Sequence, residues 1–290
     1  MKYILISVLV IGMSLRCNAN MTPELLEDSI VTLLNGIGQS ESDADKLKFS
    51  EDLNTLLRSE LIHSHVYDYP FSKVKKMAIL RPEDNAFVLF NWNVPLSNGV
   101  NKFYCYVLQS DKNSDSNKLT EFKKASREER KMDNRYLDVD QWYGCLYYDI
   151  ITVKKNKTPH YTLLGYSPFS KASTKKYMDV VTFTNDEVRL GAPIFKTEKG
   201  VKKRVIFEFS AEVSMTVRWQ EKSNRVILDH LTPRSPEMEG NYMFYGPDGT
   251  FDAYLLKKGT WEFQGGVDFQ STKDSNKPYK DPRKSKGKRK

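Results

Sequence analysis

The sequence predicts a mainly β (α+β) protein: an N-terminal helical pair followed by an antiparallel β-meander that closes as a sandwich, a barrel or blade-like sheets. Three observations carry this. Apolar residues recur at helical spacing as far as Leu61, the period changes to two from about Val74, and Gly, Asn and Pro then punctuate the chain at strand-length intervals. After residue 66 no strand alternates with a long amphipathic helix, which disfavours a parallel α/β sheet. The expected segments are a signal peptide over 1–19, a helical hairpin over 20–66, the antiparallel β domain over 67–270 and a disordered basic tail over 271–290.

The first segment has the three parts of an export signal. Lys2 supplies a positive start, Tyr3 to Leu15 is an uncharged apolar stretch, and Cys17-Asn18-Ala19 ends in the small residue a signal peptidase requires. That apolar stretch is shorter than the ~20 residues a membrane-spanning helix needs, so no transmembrane segment is expected in the mature chain. Acylation at Cys17 is the competing reading, opposed by Arg16 where a small residue belongs. The expected location is the periplasm or the outer envelope.

The helical pair comes next. Thr22-Pro23 is an N-cap followed by proline at the first helical position, and Leu26, Ile30, Leu33, Leu34 and Ile37 form one face until Gly36 and Gly38 are expected to end the helix. A second start at Ser42, with Asp45 three residues on, leads to Phe49, Leu53, Leu56, Leu57 and Leu61. Each helix has one apolar face and is expected to bury it against its own protein.

Strands follow from period-two runs. Ala86 to Trp92 and Lys102 to Gln109 flank a loop containing Asn98-Gly99. Further strands are expected at Trp142 to Val153, Tyr161 to Tyr166, Met178 to Phe183, Val188 to Phe195 and Arg204 to Phe209. Val213 to Trp219 alternates most cleanly and pairs through Ser223-Asn224 with Arg225 to Leu231. Thr250 to Leu256 and Thr260 to Gln264 turn at Lys257-Lys258-Gly259, and Pro82, Pro95, Pro168, Pro233 and Pro247 are expected at strand ends. Ser126 to Met132 suggests a short surface helix.

Charge is unevenly placed. The 290 residues carry +8 overall, yet residues 273–290 hold nine Lys or Arg against Asp274 and Asp281, so the part between leader and tail is close to neutral. The tail cannot bury enough apolar surface to offset its ordering entropy. Its basic residues Arg283, Lys284, Lys286, Lys288, Arg289 and Lys290 are the candidate contacts to an anionic envelope surface or polymer, against a reading as a merely solvated terminus. Tyr279 is its one aromatic, too few for single-strand stacking, so no specific nucleic acid is expected.

After the leader, Cys105 and Cys145 remain, both in strand-like runs. Either they form a disulfide, worth about 4 kcal/mol for a loop of this length, or they are buried free thiols. Spacing alone leaves both open.

The segments Trp142-Tyr143-Gly144-Cys145-Leu146-Tyr147-Tyr148, Tyr161 to Tyr166, Asp229-His230-Leu231 and Phe244 to Asp248 resemble a family of exported Bacteroidota proteins. The resemblance spans about residues 75 to 270. It implies a compartment and brings no catalytic residues with it.

Catalytic signatures are sparse. Gly165-Tyr166-Ser167-Pro168-Phe169 lacks the closing glycine of a nucleophile elbow, and Gly36-Ile37-Gly38 follows a helix, unlike a dinucleotide loop. His63 and His65 could share a metal only with a distant third ligand. Asp111, Asn113, Asp115 and Asn117 start like a calcium loop, but Ser116 and Phe122 stand where glycine and glutamate belong. No metal or cofactor is therefore expected. Asp138 and Asp140 beside Trp142 combine carboxylates with aromatic surface, as sugar-cleaving sites do. Two residues apart in one strand, they would need a second acid such as Asp229, beside His230. The leading expectation is a non-enzymatic exported binding or envelope-associated protein, with a periplasmic glycosidase-like hydrolase using Asp138, Asp140, Asp229 or His230 as the alternative. The oligomeric state is left open.

Overall fold

The computed structural model describes residues 21–111, 114–125, 132–184 and 187–269. The leader, the tail candidates Arg283 to Lys290 and most of the surface helix expected at Ser126 to Met132 lie outside the described residues.

Helices α1 (Pro23–Gln39) and α2 (Asp43–Glu60) begin where their caps predict: Leu25 N–H donates to Thr22 Oγ1 at 3.4 Å and Asp45 N–H to Ser42 Oγ at 3.1 Å. Gly36 and Gly38 do not end α1, which continues to Gln39 with Ser40 as its C-cap. The reason is close packing: a Cβ on Gly36 would lie 2.7 Å from the Phe49 ring of α2, so this glycine lets the helices touch.

The first sheet has the order β1 (Ala78–Leu80), β2 (Val88–Pro95), β3 (Asn101–Ser110), β4 (Asn117–Phe122). Val88, Phe90, Trp92 and Val94 pack with Leu26, Ile30, Leu53 and Leu57 of the helices, while Phe87 and Leu89 point to the opposite face. The helical pair therefore shares its core with the first sheet. β4 was not anticipated, because within it only Leu119 and Phe122 are apolar.

The second sheet runs β5 (Leu137–Asp138), β9 (Glu187–Leu190), β8 (Ser173–Thr184), β7 (Thr158–Ser167), β6 (Leu146–Lys155). β12 (Val205–Ser210) pairs with the first half of β8 and β9 with its last residues. Tyr161, Leu163, Tyr177 and Val181 meet the first sheet; Leu164, Met178 and Val180 meet the third. Coverage on both faces leaves unbroken buried runs at Tyr161 to Gly165 of β7 and Tyr177 to Val181 of β8.

The third sheet has the order β11 (Gly200–Lys202), β10 (Phe195–Thr197), β16 (Thr260–Val267), β15 (Tyr245–Lys257), β14 (Arg225–Pro233), β13 (Val217–Gln220). Its pairs are antiparallel except β10 with β16, which lie parallel through Phe195 and Trp261. The layers are thus helices, then three stacked sheets, each built chiefly from consecutive strands.

Three strand readings need correcting. Val188 to Phe195 is two strands, because Gly191 at φ +98° turns the chain between β9 and β10. Val213 to Thr216 lies outside the regular ladder, which starts at Val217: Asp229 N–H donates to Thr216 O at 3.2 Å, but Thr216 N–H donates to the Asp229 carboxylate at 2.7 Å instead of to backbone. Pro247 lies inside β15 rather than at its end, in a stretch where the register with β14 slips between Asp229 and Leu231.

Among the side-chain bridges that tie the layers, two involve fully buried residues of neighbouring sheets. Asn91 Nδ2 donates to Tyr104 O at 2.7 Å and Cys145 O at 3.1 Å, while its Oδ1 accepts from Tyr147 N–H at 2.5 Å, joining the first sheet to the start of β6. Trp261 Nε1–H donates to Thr162 Oγ1 at 2.9 Å, joining the third to the second.

Candidate functional site

A cleft of about 470 Å³ opens beside the first two sheets, within the size range of ligand sites. One wall is the β2–β3 loop at Asn98 to Asn101, and a second is the β7–β8 loop at Ser167 to Lys171. Lys124 and Ala125 form a third. The backbone fixes that third wall, since Lys123 N–H donates to Val139 O at 2.7 Å and Ala125 N–H to Trp142 O at 2.8 Å.

Four rings line the cleft: Phe103, Tyr143, Phe169 and Tyr177. Tyr143 stacks on Tyr177 with centroids 4.4 Å apart and rings inclined by 18°. Phe169 is 41% exposed, and the ammonium of the nearly buried Lys175 sits 3.2 Å from its centroid, bracing the ring. Gly144, at φ +78°, lets Lys124 and Phe103 approach, since a Cβ there would stand 3.1 Å from each.

Beneath these rings lies a polar network. Asp179 Oδ2 accepts from Tyr143 OH and from Arg204 Nε, both at 2.9 Å, and Tyr143 OH lies 3.1 Å from Tyr147 OH. Trp142 Nε1–H donates to Tyr147 OH at 3.0 Å. Arg204 Nη1 donates to Met132 O and, at 3.0 Å, to Arg135 O. Burial, reinforced by the Asp179 charge, pushes the Tyr143 hydroxyl well above its ordinary pKa, so at neutral pH it stays a donor.

Among the described lining residues the charged groups are of one sign. Lys124 and Lys171 are both exposed at its rim, with Asn98, Asn101, Gln141 and Ser170 as neutral hydrogen-bonding groups. Among the described lining residues there is no carboxylate and no imidazole.

The expected site residues lie elsewhere. Asp138 caps the turn leading to Trp142 and pairs with Arg189 at 3.3 Å on the surface. Trp142 is fully buried, so it offers no sugar platform, and Asp140 is exposed in the same turn. Asp229 accepts from Thr216 N–H in the third sheet. His230 Nδ1 lies 2.7 Å from Asp252 Oδ2, whose other oxygen accepts from Gly266 N–H at 3.1 Å. Asp138 thus ends β5 of the second sheet with Asp140 in the turn after it, Asp229 and His230 lie in the third sheet, and the cleft is lined by none of them.

Cys105 and Cys145 are free thiols in the structure, both fully buried in the core between the first two sheets. Burial pushes both thiols well above their usual pKa. The structure thus takes the free-thiol alternative. His63 and His65 lie around a short 3-10 turn with rings stacked at 5.8 Å, and Nε2 of His65 meets Met21 O at 3.0 Å. Asn117 donates to Leu61 O and His63 O, holding the end of the helical layer, while Asn113 lies outside the described residues. No group of three His, Cys, Asp or Glu among the described residues could hold a metal ion, and no described helix is long and apolar enough to cross a membrane.

The cleft itself was not predicted. Its aromatics read as strand formers, and only the clustering of lysine and aromatic residues around the Asn98-Gly99 and Pro168 loops hinted at it. No family model matches the chain, and no curated protein or solved structure matches it.

Proposed function

We propose that this is an exported, non-enzymatic binding protein whose site is the lysine-rimmed aromatic cleft. Its ligand presents a flat apolar face and a negative charge. The observation that carries the reading is the lining: four aromatic rings, two of them stacked and one braced by Lys175, beside Lys124 and Lys171, with no carboxylate or imidazole among the described lining residues. Apolar walls with a few placed polar groups are the ordinary composition of a ligand site. Rings held rigidly in advance reduce the entropy lost on binding. The leader over 1–19 and the tail over 271–290 support an envelope location, with the tail as an electrostatic arm for an anionic surface or polymer.

The test uses 1-anilinonaphthalene-8-sulfonate, a small aromatic anion. Saturable binding that falls at least tenfold in Lys124→Ala and in Phe169→Ala supports the cleft; binding indifferent to both substitutions refutes it. A hydrolytic reading has its own observation in His230, whose Nδ1 faces the Asp252 carboxylate as a base held by an acid would. Turnover of nitrophenyl esters or glycosides that disappears in His230→Ala would establish that reading instead.

A further inference from the structure

A second cleft, of about 840 Å³, adjoins the first, and Lys171 lines both. Its walls come from the end of β12, the end of β14 and the start of β15. It is lined by Arg234 and Glu212, together with the exposed side chains of Val213, Met243 and Phe244. From Lys124 through Lys171 to Arg234, cations recur along one surface, each with an aromatic ring lining the same cleft: Phe103, Phe169 and Phe244. Lys124 Nζ lies 5.8 Å from the Phe103 centroid.

From this continuity we infer that the two clefts form one track for an acidic oligosaccharide chain, which engages several sugar units at once. The inference rests on the proposed binding function of the first cleft and names its ligand class. A uronic-acid ring has an apolar C–H face for an aromatic ring, hydroxyls for the amides of Asn98, Asn101 and Gln141, and a carboxylate for a lysine or arginine. A compact ligand would leave the second cleft empty.

The alternative long occupant is an acidic peptide, and the lining argues against it. Extended peptides are held by an open ladder of backbone N–H and C=O groups. Here the track is built from loops and strand ends, and Pro168, Pro233 and Pro247 in its walls interrupt any such ladder because they lack the N–H. Spanning both clefts also links binding at each, which raises affinity through effective concentration without new kinds of contact.

The experiment is calorimetry on the full chain with oligogalacturonates of two, four and eight units, neutral galactan oligomers of matched length and an oligoglutamate peptide. The basic residues 273–290 are present in every variant, so only differences between variants are read. The expected result is at least tenfold tighter binding of eight units than of two. Arg234→Ala and Phe244→Ala should each abolish most of that gain and leave two-unit binding unchanged, whereas Lys124→Ala weakens both lengths. All three residues are exposed, and unchanged thermal unfolding confirms that the variants fold. A length gain that survives both second-cleft substitutions overturns the track, and so does its absence in the unchanged protein. Oligoglutamate binding more tightly through the same residues overturns the ligand class, as does equal binding of neutral galactan. In each of these cases the naphthalenesulfonate result still judges the first cleft separately.

Discussion

Asp179 and Arg204 form an ion pair at 2.9 Å in which neither side chain reaches solvent, and the same carboxylate oxygen holds the Tyr143 hydroxyl of the cleft. A fully buried pair is costly to break from one side, because the remaining charge is stranded. Arg204→Met is expected to lower unfolding stability by about 3–5 kcal/mol. The pairing of Arg204→Met with Asp179→Leu should lose less than the sum of the two single changes. Urea denaturation of the four proteins as a double-mutant cycle reads this directly.

Asn91 replaces a missing piece of ladder between two sheets. Asn91→Leu would leave Tyr147 N–H and Cys145 O short of a partner in a fully buried place and remove a further bond to the partly buried Tyr104 O. A cost of about 1–3 kcal/mol attaches to each orphaned group, so a drop of at least ~2 kcal/mol is expected by the same measurement. A neutral Asn91→Leu would show that the first two sheets do not depend on this amide.

The two core thiols predict a pH dependence with a definite sign. Burial raises both folded-state pKa values above those of unfolded cysteine, so their contribution to stability is complete below the unfolded pKa of about 8.5 and is lost as pH rises beyond it. The urea midpoint should therefore fall between about pH 8 and 10, and the double Cys→Ala variant should show a shallower fall over that interval. Ellman's reagent should leave both thiols unmodified in the native protein and label both after denaturation. A disulfide would leave Cys105 and Cys145 unlabelled in either state, which Cys17→Ser makes readable.

Gly259 tests the contact between the second and third sheets. At φ +75° it completes the β15–β16 turn, and a Cβ there would lie 2.4 Å from Lys154 O. Gly259→Ala is expected to destabilise by more than about 1 kcal/mol, seen as a lower melting temperature. Gly200→Ala, at φ +110° with open space around it, isolates the backbone part of that cost.

Much of the architecture was legible because it is local. Caps at Thr22 and Ser42 announced the helices, and Asn224 and Gly259 announced hairpins, since a left-handed residue in a tight turn needs one of few side chains. Parts of β7 and β8 were legible, at Tyr161 to Tyr166 and Met178 to Phe183. What could not be read was lateral order: nothing in Val205 to Ser210 says that β12 pairs with the first half of β8. The cleft was hidden for the same reason. Phe103, Tyr143, Phe169 and Tyr177 come from four separate parts of the chain and converge only when the first two sheets stack. Charged neighbours misled in the opposite direction, because Asp138 and Asp229 satisfy local backbone and ion-pair needs far from that convergence.

The centre of the middle sheet is dry on both sides, with rings of the first sheet against Tyr161 and Leu163 and Trp261 of the third against Thr162. A slab without a wet side has no soluble existence once its neighbours depart. The outer layers cannot be shed one at a time to leave a tidy remnant, and proteolytic trimming inward from either end should consume the whole body rather than stop at a surviving core.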